Sequence, residues 1–380
     1  MTRVVVIGLG GMGSAAAAHL ARRGADVIGV EQFTPAHDRG SSHGDSRVIR
    51  QAYFEHPSYV PLLRSAYDLW ADLERDDPGI FRLTGGLMLG HPDAEVVAGS
   101  MASAREHDLP HEVLDAGEIR NRFPNFAPRD DEVGLYEASS GYVRPERTVR
   151  EHVRRAVAAG ADLRFEEVAL SWEADTSGVR VYTAGGAIEA ERLVIAPGAW
   201  APRLLADLGV PMVVTRQLVC WFRPSGDLAS YQVGRQPIFI GERPPLHPYG
   251  FPVLEGQDAK DGLKVGLHHH GEVIDPDTLD HRVSADEVAV MAEAINELVP
   301  TMAGRFVRGL ACLYTTTPDQ HFVVGTHPGH DNVVVACGFS GHGFKFVPVL
   351  GEILADLALD GSTAHPIGLF DPARFGRASR

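Results

Sequence analysis

The feature that most constrains this chain is its opening: a β-branched run, Arg3 to Ile7, meets Gly8, Gly10 and Gly13 and passes into an alanine-rich stretch over residues 12–23. Val4, Val5, Val6 and Ile7 suit a strand buried on both faces, and the alanines suit a helix. A second strand is expected over residues 26–31. Each glycine has a separate task in such a unit. The first permits the tight turn, the second lets a pyrophosphate approach the backbone, and the third lets helix and strand pack closely, while the helix N-terminus faces phosphate charge. Glu31, 18 residues after Gly13, is placed to accept hydrogen bonds from ribose hydroxyls. The unit predicts a dinucleotide site. An acid at position 31 argues against a 2′-phosphate but does not choose between NAD and FAD.

A chain of 380 residues with 44% hydrophobic side chains can bury a full core. Its 35 basic and 50 acidic side chains leave a net charge of -15, which repels a phosphate backbone, so no nucleic-acid partner is expected. Cys220, Cys312 and Cys337 are too few and scattered for a disulfide framework or a zinc site, which fits a reducing, cytoplasmic setting. No apolar run has the length of a membrane span, and the chain reads as unprocessed and soluble. A loop over residues 34–47, rich in Gly, Ser, His and Asp, is long enough to be functional. Helices are expected over 59–74, 94–107 and 347–359, and strands over 179–183, 192–196 and 332–336. His268, His269 and His270 invite a metal reading, but consecutive residues on a strand face opposite ways and cannot converge on one ion. No metal is expected.

Five separated segments carry a resemblance that runs nearly end to end: 8–13, 40–50 (GSSHGDSRVIR), 262–268 (GLKVGLH), 312–315 (CLYT) and 338–345 (GFSGHGFK). In this order they resemble the monomeric sarcosine oxidase and N-methyltryptophan oxidase family, within the wider D-amino-acid oxidase-like group of flavoproteins. The resemblance implies an α/β fold, α+β overall, in which a Rossmann-like FAD-binding domain (1–80, 139–214 and 313–380) interleaves with a substrate domain (81–138 and 215–312) built on an antiparallel sheet. It implies FAD attached covalently through Cys312, and oxidation of an N-methyl or cyclic secondary amino acid to an imine with O2 reduced to hydrogen peroxide. The partners implied are a small amino acid and O2, and the assembly state a monomer.

Site residues follow from the same resemblance. Lys345 is placed beside the flavin to activate oxygen and hold charge, and Arg50 binds the substrate carboxylate, which a guanidinium can grip bidentately. His43, Ser46, Arg47, Val168, Gly341 and Gly343 are implied as cofactor contacts, and Glu55 as an acid supporting the cations. His268 and Lys264 match a pair near the substrate amine, and Tyr249 and Tyr314 line the pocket. Taken alone, Cys312 reads as a buried hydrophobe, Lys345 as a surface lysine, and Arg47 with Arg50 as a solvated helix face. The segment 242–248 departs from sarcosine oxidases, so a larger N-methyl amino acid or a cyclic imino acid is an open choice. Two other functions fit part of the pattern: a flavin dehydrogenase using another electron acceptor, and a non-catalytic dinucleotide-binding sensor.

Overall fold

The computed structural model describes residues 1–376. Its first sheet has six strands in the order Val323–His327, His330–Cys337, Arg192–Ile195, Arg3–Ile7, Asp26–Glu31, Asp162–Phe165. All neighbours are parallel except the first pair, a hairpin. The opening strand shows why its sequence is apolar throughout. Val4 and Val6 belong to a core shared with helices, whereas Val5 and Ile7 face a second core that includes Val181 and Ile188 of a three-stranded antiparallel sheet, Ala169–Asp175, Gly178–Thr183 and Gly186–Ala190. On the helical side, Gly11–Arg22 packs against Pro145–Ala158 and Val347–Asp360.

A nine-stranded sheet forms the second layer. Its longest members, Val213–Arg223 and Arg305–Thr316, pair antiparallel from Val213 opposite Thr316 to Arg223 opposite Arg305. The expected antiparallel base holds except at one place, where Ile238–Gly241 runs parallel to Gly86–Gly90. Helix Ala285–Leu298, which starts on a Ser284–Glu287 capping box, buries Met291, Ile295 and Leu298 with Leu87, Phe239 and Val265 of this sheet. The boundaries expected at 214 and 312 fall inside the two long strands, which run from this sheet toward the glycine turns of the first.

Helix Val60–Asp76 buries Leu62, Leu63, Ala66 and Trp70, the apolar stripe that its spacing predicts. Arg47 does not stand on a helix. It begins a short strand, Arg47–Ile49, paired with Gly141–Val143, and Arg50 follows directly. Among the described residues no helix is long and apolar enough to cross a membrane.

Candidate active site

A cleft of about 380 Å³ opens at the carboxyl ends of the central parallel strands, where ligands sit in doubly wound sheets. The glycine turn is built for it. Gly8 adopts φ +83°, and a Cβ on Gly13 would stand 1.7 Å from the Gly8 carbonyl oxygen, so helix and strand touch through bare backbone. At Gly10 the nearest atom to such a Cβ is 3.9 Å away, leaving room for a ligand against the helix N-terminus, which has no side-chain cap. Glu31 is buried and accepts from Leu9 N at 2.8 Å and Phe33 N at 3.1 Å. Burial pushes its carboxyl up, and those backbone N–H groups act against the rise.

Of the expected cofactor residues, Gly8, Gly10, Glu31, Arg47, Val168, Gly341 and Gly343 line the cleft. Gly13 supports the turn from behind. Gly341, at φ +80°, serves a different neighbour: a Cβ there would lie 2.2 Å from the Tyr314 ring. His43 and Ser46 are buried behind Arg47, and His43 Nδ1 and Ser46 Oγ have no protein partner. Burial first, then Arg47, pushes the His43 imidazole down to about 3, so it is neutral. A glycine cradle, a helix N-terminus open toward the cleft and a buried acid at the end of the second strand fit FAD. Trp200 and Asp277, bonded to each other at 2.7 Å, also line the cleft. Neither residue stands in a segment that the sequence marked as functional.

Cys312 lies in the strand Arg305–Thr316, opposite Gln217 and next to the cleft-lining Leu313 and Tyr314. Burial pushes its thiol up, and Arg47 and Lys264 act in the other direction. Lys264, on the strand Leu263–Leu267, donates to the Ser46 carbonyl, and burial followed by Arg47 takes its amine well below the ordinary lysine range. Lys264 and His268, both expected near the substrate amine, have different neighbours. The two residues are four apart along extended chain, roughly 13 Å, so Lys264 sits with Arg47 and Cys312 while His268 Nδ1 lies 3.2 Å from Tyr314 Oη. His268 is held well below its ordinary range, by burial first and then by the neighbouring His269, His342 and Lys345. Tyr249, on Pro248–Gly250, faces Tyr314.

A second group of charges lies past the strand Arg47–Ile49. Arg50, 1% exposed, donates to the Ala52 carbonyl at 3.0 Å and to Glu55 at 2.7 Å, with its guanidinium over the rings of Tyr53 and Phe54. Its Nε has no protein partner. Lys345 is buried as well. Its Nζ donates to the His342 carbonyl at 2.8 Å, and Trp70 Nε1 bonds its carbonyl at 2.8 Å, fixing the loop on helix Val60–Asp76. Burial, then Arg50, pushes the Lys345 amine down to about 7, with Glu55 opposing. For Glu55 burial alone would raise the carboxyl, but Arg50, His342 and Lys345 together hold it below the usual range.

The segment 242–248 is anchored outward more than it lines a pocket. Glu242 accepts from Val96 N at 2.8 Å and Arg243 is buried against Glu132 at 2.7 Å, leaving His247 as the member beside His268 and His269. The histidine run is not on a strand: the strand stops at Leu267, and His269 turns the chain at φ +54°. Away from the cleft, Asp207, His327 and His330 come together at metal-like spacing. Gly329 N donates to His327 Nδ1, so the neutral ring carries its proton on Nε2, 3.1 Å from Asp207. That tautomer makes an acid–histidine contact rather than a ligand set.

The FAD dependent oxidoreductase (DAO) family model matches residues 3–357. A monomeric sarcosine oxidase from Streptomyces avermitilis is 53% identical over 378 residues, covering 99% of this chain and 98% of the relative. An N-methyl-L-tryptophan oxidase from Escherichia coli O157:H7 is 37% identical over 381 residues, covering 98% and 99%. Among solved structures, the open form of NikD, described as an unusual amino acid oxidase essential for nikkomycin biosynthesis, aligns over 100% of both chains with a TM-score of 0.85 and 26% identity. With the glycine cradle, the cleft and these full-length similarities together, the chain belongs to the FAD-dependent oxidoreductase family, in the group that holds monomeric sarcosine oxidase and N-methyltryptophan oxidase.

Proposed function

We propose that this flavin-dependent amine oxidase acts on a secondary amino acid, N-methyl or cyclic, whose carboxylate is gripped by Arg50 and Lys345. The observation that carries this reading is the charge balance of a buried cluster. Two cations face one contacting carboxylate, Glu55, and Arg50 Nε has no protein partner. A second carboxylate would balance the cluster and accept from both side chains. Bound FAD supplies the two-electron acceptor that breaking the C–H bond beside nitrogen requires, with O2 as the final oxidant and hydrogen peroxide as product. The protein's part is position and protonation. His268, neutral because it is buried, and Tyr314 stand where they can hold the amine in its neutral form, and water hydrolyses the imine.

Covalent attachment through Cys312 belongs to the same proposal. Burial pushes the Cys312 thiol up, and Arg47 and Lys264 oppose that rise, toward the thiolate that such a bond needs. The interleaved domain division, a monomeric state and a cytoplasmic location are part of it too. The test precipitates wild type and Cys312→Ser with acid and runs both proteins on a panel of N-methyl and cyclic amino acids, reading peroxide. Flavin in the wild-type pellet, its loss from the variant, and peroxide from secondary amino acids are expected. Flavin in the wild-type supernatant removes Cys312 from the attachment, and substrate-dependent dye reduction without peroxide makes the enzyme a dehydrogenase.

A further inference from the structure

Lys345 is fixed by a directional chain of hydrogen bonds that reaches 292 residues back along the sequence. Its Nζ donates to Tyr53 Oη at 3.3 Å, Tyr53 Oη lies 2.6 Å from His342 Nδ1, and His342 Nε2 lies 2.9 Å from the Gln320 carbonyl oxygen. A carbonyl oxygen accepts and cannot donate, so Nε2 carries the ring proton. In the neutral ring Nδ1 is then an acceptor, and Tyr53 is the donor toward it. The phenol has one proton. Committed to His342 Nδ1 at 2.6 Å, the shorter of its two contacts, rather than to the His342 carbonyl oxygen at 3.2 Å, it leaves an oxygen lone pair facing the Lys345 ammonium. Tyr53, His342 and Lys345 are each 5% exposed or less, so bulk water does not compete for these atoms.

We propose that His342 is a positioning residue acting through Tyr53: by accepting the phenol proton it keeps Tyr53 an acceptor for Lys345, and so keeps Lys345 charged for carboxylate binding. The inference rests on the carboxylate reading above and adds two residues to it. The other groups facing Lys345 divide. Arg50 disfavours its charge, Glu55 favours it, and His268, held neutral by burial and by Lys345 among others, adds no charge of its own. Because burial and Arg50 already bring the amine to about 7, the direction of one phenol dipole is enough to decide its state near neutral pH. His342 itself stays neutral there, pushed by burial to about 4 against the pull of Glu55.

Acetate binding to the holoenzyme, read by its perturbation of the flavin absorbance from pH 5.5 to 9.5, tests this. Wild-type affinity is expected to fall above one break as Lys345 loses its proton. In His342→Leu, which leaves the phenol only the residue's own backbone carbonyl, 3.2 Å away and already taken by Lys345 Nζ, and in Tyr53→Phe, which has no hydroxyl, the break moves to lower pH by about one unit. His342→Asn, whose Oδ1 can take the place of Nδ1, restores it toward wild type. Equal shifts in His342→Leu and His342→Asn, or no shift in Tyr53→Phe, overturn the inference. A Lys345→Met variant that keeps the wild-type break overturns the carboxylate site itself, and the positioning role with it.

Discussion

At the scale of single residues, Arg50 is held so tightly that its nearest chemical relative cannot replace it. Its guanidinium reaches Ala52 and Glu55, lies over two aromatic rings and still presents Nε. A lysine ammonium is a point charge with no planar fork. Arg50→Lys is expected to raise KM for the amino acid roughly 10- to 100-fold, the loss of one to two charge-assisted hydrogen bonds, with kcat changed less; steady-state kinetics separates the two. The segments that resemble the family point to Arg50 and Lys345 from the chain alone, and the resemblance adds Glu55 five residues beyond Arg50. What they could not show is which atoms meet. Tyr53 and His342 join across 289 residues, and Lys264 and His268, close in sequence, are kept apart by an extended strand. Spacing along a chain reports distance within one element and says little about contacts between elements.

At the scale of elements, the opening unit was readable because its periodicity, glycines and acid all serve one local geometry. The strands Arg3–Ile7 and Asp26–Glu31 stand where the β-branched residues put them, and the helices end within about two residues of expectation. Strands of three residues were not readable. Arg47–Ile49 exists because Gly141–Val143 pairs with it nearly a hundred positions later, and its own residues carry no alternation long enough to identify. The parallel pairing of Ile238–Gly241 with Gly86–Gly90 is equally non-local. The glycine turn gives the sharpest element-scale prediction. In Gly13→Ala the new methyl meets the Gly8 carbonyl at a distance that forces strand and helix apart. Overpacking of this kind costs about 1–3 kcal/mol. The variant is expected to lose most of its flavin on gel filtration and to melt earlier; a fully yellow Gly13→Ala protein would show that the turn can relax without moving the cradle.

At the scale of the whole molecule, acid resistance is set by histidines that the fold buries without charge. His19 on helix Gly11–Arg22, His152 on helix Pro145–Ala158 and His43 behind the cleft are each 8% exposed or less, and burial, as the first cause in every case, pushes each down to about 3. In the unfolded chain each titrates near ~6.5. Between those values the unfolded state binds a proton that the native state refuses, so stability rises with pH there and is lost as pH falls from about 6.5 toward 3. Each group contributes about 1.4 kcal/mol per pH unit in that window, and the three together about 4. The urea midpoint of the holoenzyme should therefore drop steeply between pH 6.5 and 5, above the range where ordinary carboxylates begin to protonate. His152→Leu, which keeps the side chain buried between its helix and its neighbours but cannot titrate, should flatten that slope by one histidine's share, about 1.4 kcal/mol per pH unit. A midpoint that does not move between pH 6.5 and 5 would mean that water reaches these imidazoles, and that the helix layer against the parallel sheet opens well before the molecule unfolds.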